Sequence, residues 1–221
     1  HTFFPDYFTA ERQGSILLDR LVAEYPNREG RASLENAAFE FQLDGWERKI
    51  LVITAEFAPS DGAVEWAKKL CLSDKYKDHY VIYLTHSYMK CHKCGNTVTP
   101  TEKYPLTQRP GNNSGVQLWE KLFSQVPNVR LVLCGHHGHS QEKTPEGKRD
   151  RYDWSVGWRV DRNAAGKNVY QMMFNVQTLG GGYEGNGGDG WLRILEFMPD
   201  GKTIKVRTYS PFFGISPLTR H

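Results

Sequence analysis

Three apolar segments that alternate with two segments of helical periodicity constrain the fold of this chain more than any other feature. The apolar segments are residues 49–57, 80–85 and 129–134, and the helical segments between them are residues 61–72 and 115–126. Buried strands joined by helices of about a dozen residues are typical of crossover connections in a parallel sheet. We therefore predict an α/β fold with a mostly parallel sheet, followed by antiparallel hairpins.

The residues before the first apolar segment predict two further elements. Apolar spacing over residues 11–25 indicates a helix that ends at Pro26, and residues 36–43 alternate between apolar and polar side chains, like a strand. Asp44 and Gly45 are typical turn residues. We expect residues 36–43 and the first buried strand to form a hairpin.

The last third of the chain has a different pattern. Residues 140–168 are rich in charge and are expected to form a loop, whereas residues 169–176 predict a strand. Residues 191–198 and 203–209 predict a hairpin around a Pro-Asp-Gly turn. We expect these strands to join the sheet in antiparallel fashion.

Composition and charge exclude several classes of protein. Hydrophobic residues make up 39% of the 221 residues, which is enough for a sizeable core and excludes a disordered chain. The net charge of +3 is too small for phosphate-backbone contacts to dominate binding, so nucleic acid is not an expected partner. No apolar run reaches the roughly 18 residues that a membrane span needs. Residues 1–221 are expected to form one domain or part of one.

The ends and cysteines of the chain bear on its origin and compartment. The chain begins with a histidine and lacks a secretion signal, which indicates that it was cut, processed or recorded in part. A processed N-terminus slightly favours a secreted or periplasmic protein, but the sparse cysteines leave the compartment open. Cys91 and Cys94 alone have suggestive spacing. Because no second ligand pair follows, a local disulfide or two idle thiols are favoured over structural zinc.

Histidines concentrate where the parallel strands end. The strand ends carry Glu56, His86, and a segment from Gly135 to His139 that includes His136 and His137. The carboxyl ends of parallel strands converge on one edge of the sheet, where ligands bind in open α/β folds. Neutral imidazole is a good ligand for borderline divalent cations. The clustering therefore predicts a metal site at this edge.

These residues resemble a known family. Thr85-His86, the helix segment Gly-Val-Gln-Leu-Trp-Glu-Lys-Leu (115–122) and Leu-Val-Leu-Cys-Gly-His (131–136) look like the last two motifs of the calcineurin-like metallophosphoesterases. Residues 187–193 and 206–211 resemble the closing strands of a bacterial branch of that family. The resemblance runs from about Leu34 onward. It implies an αββα sandwich, a dinuclear metal centre and hydrolysis of phosphate esters.

The resemblance assigns roles residue by residue. His86 and His136 match histidines that bind the second metal in the family. The next family histidine falls on Gly138, so His139, one position later, is the replacement ligand if the loop shifts. The resemblance leaves two places for His137, which faces either substrate or solvent. The resemblance implies two divalent cations in the whole enzyme and does not distinguish among Mn, Fe, Zn and Mg.

The early motifs of the family, which supply the bridging aspartate and the proton donor, are missing from these residues. The chain therefore looks like the C-terminal half of such an enzyme, and no catalytic residue is identifiable in it. Half of a sandwich would expose an apolar sheet face. We expect that face to bind the missing N-terminal half or a second copy of the chain.

Two other functions remain open beside hydrolysis of a phosphate monoester or diester. In the first alternative, the chain is an inactive fragment. In the second, it is a module that binds sugar or peptide, and the glycine-rich residues 180–190 form the rim of its binding site. Glu56 and Tyr88 are candidates to lie beside a substrate. The alternative for Glu56 is solvent contact, and that for Tyr88 is a place in the core or at the rim.

Overall fold

A computed structural model describes residues 3–101, 110–137, 155–177, 179 and 186–216. Its main element is a seven-stranded mixed sheet with the spatial order β1-β2-β3-β4-β5-β7-β6. The strands are β1 (Leu21–Glu24), β2 (Ala37–Phe41), β3 (Ile50–Ala55), β4 (Tyr80–Thr85), β5 (Val129–Cys134), β6 (Val156–Arg162) and β7 (Asn168–Phe174). The pairs β3–β4, β4–β5 and β5–β7 are parallel, whereas β1, β2 and β6 pair in antiparallel fashion. This confirms the predicted α/β class.

The helices are short apart from one. They are α1 (Phe4–Tyr7), a 3-10 turn (Ala10–Gln13), α2 (Ser15–Leu18), α3 (Asp61–Leu72), a 3-10 turn (His92–Cys94) and α4 (Gly115–Leu118), which continues as a π-helical stretch (Trp119–Phe123). None of these described helices has the length and apolar character needed to span a membrane. The sequence suggests Asp61 as the cap of α3, but the Ser60 hydroxyl caps it instead, accepting from Ala63 N.

The two faces of the sheet have different neighbours. One face packs against α3 and the α4 segment around a core that includes Leu51, Tyr83 and Phe123. The opposite face carries Ile82 and Leu131, with a two-stranded hairpin packed over part of it. The hairpin consists of β8 (Leu192–Phe197) and β9 (Ile204–Tyr209), and forms its own sheet. The prediction that these strands join the main sheet is therefore wrong.

Two other predictions are wrong because strand pairing overrides the local sequence pattern. The helix predicted over residues 11–25 ends early, and Leu21–Glu24 forms β1 because β2 offers it backbone partners. Residues 156–162, predicted as loop, form the edge strand β6 along β7. Charged Arg159 and Asp161 conceal that strand in the sequence. The rest of the predicted charged loop, residues 140–154, lies outside the described residues.

A chain of hydrogen bonds ties the loop after β4 to the far edge of the sheet. The Tyr88 hydroxyl donates to Gln171 Oε1 at 2.6 Å, and Gln171 Nε2 donates to Asp161 Oδ2 at 2.6 Å. Arg159 forms two hydrogen bonds with the same carboxylate. These bonds from Arg159, and the one from Gln171, lower the pKa of Asp161. Tyr88 and Gln171 are fully buried, so these hydrogen bonds satisfy polar side-chain atoms that water cannot reach.

We expect Tyr88→Phe to lower the free energy of unfolding by about 1–3 kcal/mol, because it leaves Gln171 Oε1 buried and unpaired. Tyr83→Phe is the matched control. Tyr83 is equally buried and packs edge-on against the same Phe123 ring, but its hydroxyl makes no hydrogen bond within the described residues. Urea unfolding measures both variants. Equal losses in the two would show that the hydroxyl bond contributes nothing.

Candidate functional site

The site lies at the carboxyl ends of β4 and β5. These strands are parallel neighbours, so the residues that follow them emerge at one edge of the sheet. His86 comes directly after β4, and His136 follows β5 after Gly135. The backbone holds the two ends together, because Gly135 N donates to the carbonyl oxygen of His86 at 3.0 Å. The topology thus fixes the separation of the two histidines.

The two imidazole rings face each other across this edge. His86 Nε2 lies 3.0 Å from His136 Nδ1, and the ring centroids are 4.8 Å apart. Two imidazole nitrogens on one zinc, each at about 2.05 Å, lie about 2.9 Å apart at a 90° angle and about 3.3 Å apart at a tetrahedral angle. The observed separation falls within that range. The same distance is that of a hydrogen bond between the two rings, so the spacing is compatible with two ligands of a single cation without requiring one.

The backbone at His136 is unusual. Its φ of 61° places it in the left-handed region, which costs a non-glycine residue about 1–2 kcal/mol. Asn175, beyond β7, secures this conformation by donating from Nδ2 to the His136 carbonyl oxygen at 2.8 Å. Such conformations persist where surrounding contacts enforce them, and they concentrate at functional sites. Here the conformation presents the ring of His136 to that of His86.

Phe57 forms the wall of the site. Its ring centroid lies 4.7 Å from that of His86 and 4.9 Å from that of His136. Arg28 holds this segment in place, because its guanidinium donates to the carbonyl oxygens of Phe57 and Ala58. The apolar ring limits the orientations of both imidazoles and shields one side of the pair from water. Phe57 is absent from the residues predicted for the site, and its place just after β3 is the one signal in the sequence that points to it.

Glu56 lies beside this wall in an ion pair. Its carboxylate accepts from Arg28 Nε at 3.0 Å and from Arg28 N at 3.1 Å, and the side chain is buried. Its backbone N donates to Asn36 Oδ1. These contacts give Glu56 the role of an anchor for Arg28. The carboxylate also borders the depression next to His86, so its place beside a substrate stays a prediction.

A serine–histidine contact extends the site. Ser87 Oγ and His137 Nε2 lie 2.9 Å apart, and Ser87 is buried while His137 is half-buried. The rings of His136 and His137 meet at right angles, with centroids 4.8 Å apart. His137 is thus held by Ser87 beside the candidate ligands. Whether it faces substrate stays a prediction.

An open depression of about 600 Å³ adjoins the histidines. It is bordered by residues from the ends of β3, β4, β5 and β7, from α1 and from the loop before β2, among them Phe4, Leu34, Glu35, Glu56, Phe57, His86 and Phe174. Two carboxylates and an imidazole thus share one surface. The floor is largely apolar, which makes the depression a place for a small ligand with a polar end.

Of the three remaining predicted features, one lies in the core and two fall outside the described residues, wholly or in large part. Tyr88 is fully buried in the core against Phe123, and a place in the core is the stated alternative to a place beside a substrate. His139 lies outside the described residues, as does most of the glycine-rich segment 180–190. Within the described part of the chain, no three His, Cys, Asp or Glu side chains group as a metal site. A metal site at the histidine pair stays a prediction.

Comparison with known proteins leaves the function open. No family model matches the chain. Over 106 residues, 46% of this chain, it is 36% identical to the uncharacterized protein YvnB of Bacillus subtilis. The matched part is 7% of the length of that relative, so the chain spans a small fraction of it. The chain is therefore similar to part of a much longer bacterial protein whose name states no activity.

Proposed function

We propose that this chain is part of a metal-dependent hydrolase of phosphate esters, of the metallophosphoesterase type, in which His86 and His136 hold one divalent cation. The observation that carries the proposal is the 3.0 Å separation of His86 Nε2 and His136 Nδ1 at the ends of adjacent parallel strands. The donor set supports it as well, because imidazole suits Zn and Fe.

The chain's own residues would prepare the site in three ways. His86 and His136 bring two ring nitrogens within 3.0 Å of each other, and contact with Phe57 restricts both rings. Ser87 holds the ring of His137 next to His136, where an imidazole can bind a phosphoryl oxygen. When bound, divalent cations neutralise charge on phosphoryl oxygens and lower the pKa of water. The depression beside His86 offers room for the organic part of the ester.

We also propose that the sheet is one half of an αββα sandwich. The helices α3 and α4 cover one face, while the other face exposes Leu84 (43%), Trp158 (49%) and Val160 (41%). Apolar side chains on a sheet face generally pack against another layer. The hairpin β8–β9 occupies only part of this face. The exposed remainder is where a second sheet would pack, and this placement supports the expected missing half.

The test is hydrolysis of bis-p-nitrophenyl phosphate and p-nitrophenyl phosphate by the protein expressed from its whole gene. We expect release of nitrophenol with Mn²⁺ or Zn²⁺, and loss of that release after chelation with EDTA or in His86→Asn. His92→Asn is the control, because His92 is exposed in the 3-10 turn His92–Cys94, six residues further along the chain, and its ring hydrogen-bonds with Asn96 rather than with His86 or His136. Hydrolysis that survives both EDTA and His86→Asn would refute the proposal. So would the absence of hydrolysis in a metal-loaded, folded protein.

A further inference from the structure

Cys91 and Cys94 lie close together in the loop that follows β4. The 3-10 turn His92–Cys94 begins directly after Cys91 and brings the two sulfur atoms to 3.1 Å. Cys91 is buried (1% exposed), whereas Cys94 is exposed. The proposed hydrolase has no use for either thiol. Their proximity is therefore a feature to explain in its own right.

Backbone hydrogen bonds hold this turn closed without a covalent bond between the sulfurs. Cys94 N donates to the Cys91 carbonyl oxygen at 3.0 Å, and Asn96 N donates to the same oxygen at 3.1 Å. Gly95 and Asn96 both have positive φ, of 79° and 53°, which closes the turn tightly. Forming a disulfide here requires only a small approach of two side chains, so little conformational entropy opposes it.

The loop is also fastened to the edge of the sheet. Asn96 Oδ1 accepts from Trp158 N at 3.0 Å, and the Asn96 carbonyl oxygen accepts from Arg159 Nη1 at 3.1 Å. Both contacts are with β6. A covalent bond within the turn would therefore stiffen a connection that runs from the end of β4, where His86 lies, to the far edge strand.

A metal ion is a poorer occupant of this turn. Zinc held by a Cys-X-X-Cys pair needs two further ligands. In the described ranges of the chain, no group of three or more His, Cys, Asp or Glu side chains includes this pair. The remaining cysteines, Cys71 and Cys134, are buried in the core. The geometry thus favours a bond between the two sulfurs over a shared metal.

We propose that Cys91 and Cys94 form a reversible disulfide. The bond would fasten the turn in the loop after β4 that is hydrogen-bonded to β6. With oxidised glutathione as the oxidant, the Cys94 thiolate attacks one glutathione sulfur, and the first glutathione leaves as a thiolate. The Cys91 thiolate then attacks the Cys94 sulfur and displaces the second glutathione. The two protons from the cysteine thiols are taken up by the two glutathione thiolates, so two thiols are oxidised and one disulfide is reduced.

The order of the two attacks follows from exposure. Cys94 is accessible to a small disulfide, while Cys91 is not. Burial, together with the neighbouring Cys94, raises the pKa of Cys91 to about 11, so Cys91 is a neutral thiol at pH 7 and reacts second. The first step makes an exposed mixed disulfide, and the buried neighbour resolves it within the turn.

Peptide mapping tests the proposal. The 221-residue chain is incubated with oxidised glutathione, alkylated with iodoacetamide under denaturing conditions, and digested with trypsin without reduction. Cleavage after Lys90, Lys93 and Lys103 separates the two cysteines, so we expect residues 91–93 and 94–103 joined in one species, two hydrogens lighter than their sum. The peptides with Cys71 and Cys134 should be alkylated, as an internal control. Alkylated Cys91 and Cys94, or a disulfide between two chains, would overturn the proposal, as would zinc that the natural chain retains on gel filtration and Cys94→Ser does not.

Thermal unfolding tests the effect on the loop. We expect the oxidised chain to melt about 2–6 °C above the same chain in dithiothreitol, because the crosslink restricts the unfolded chain. Cys94→Ser should melt at one temperature under both conditions. Equal melting temperatures for the oxidised and reduced natural chain would show that the bond does not fasten the loop, and would overturn that part of the proposal.

Discussion

His136→Ala is expected to weaken the binding of Zn²⁺ or Mn²⁺ to this chain by at least tenfold. The substitution removes one of two imidazole nitrogens that lie 3.0 Å apart, and His86 alone cannot chelate. Loss of a residue that merely supports a metal ligand already costs about 10–100-fold in affinity, so loss of the ligand itself should cost no less. Calorimetric titration of the chain with each metal measures the effect.

Comparing the metal affinities of several histidine variants distinguishes chelation by the pair from nonspecific metal binding. His86→Ala should cause the same loss as His136→Ala, and the double variant should be little worse than either, because the pair acts as a unit. His92→Ala, on an exposed turn, should bind as the natural chain does. If His92→Ala lost as much affinity as the site variants, binding would be nonspecific and the proposed cation site would be wrong.

Gly115→Ala is expected to destabilise the chain by more than about 3 kcal/mol. Gly115 opens α4 where two backbone segments cross it. A methyl group there would lie far inside van der Waals contact with the Tyr88 carbonyl oxygen, and 2.6 Å from Thr99 Oγ1. The nearest obstacle is backbone, held by a hydrogen bond from Thr99 N to the same Tyr88 oxygen, so it cannot turn aside. Guanidinium unfolding of the purified variant measures the loss.

Gly62→Ala is the matched control. Gly62 lies near the start of α3, as Gly115 does in α4, and a methyl group there meets only the phenol end of the Tyr25 side chain. That side chain can rotate away, and alanine favours the helix by about 1 kcal/mol over glycine. We therefore expect a change of less than about 1 kcal/mol. A comparable loss in both variants would mean that the clash with Tyr88 does not decide the stability.

The centre of the fold could be predicted because its hydrophobic pattern is local. The predicted segments 80–85, 129–134 and 61–72 coincide with β4, β5 and α3. Each is a short apolar run or a stripe with clear ends, and tertiary contacts reinforce what the pattern indicates. The position of the candidate site followed from the same reasoning, since parallel strands that end in histidine bring those histidines together. The metal itself stays a prediction.

The edges of the fold and the surroundings of the site could not be predicted in this way. Leu21–Glu24 continues an apolar helical stripe, and only its pairing with β2 makes it a strand. Phe57 has no polar group to attract notice, and its role depends on two rings that lie 29 and 79 residues further along the chain. Arg28 and Asn175 act through backbone carbonyl oxygens, which a sequence does not display.

The positive φ of His136 has a consequence for the history of this chain. A glycine in that position would relieve the backbone of about 1 kcal/mol, so the fold would be more stable without the imidazole. Selection for stability alone would therefore discard this side chain. A lineage that keeps histidine here accepts a weaker scaffold in exchange for the ring, and sequences with no use for the ring would be expected to replace it.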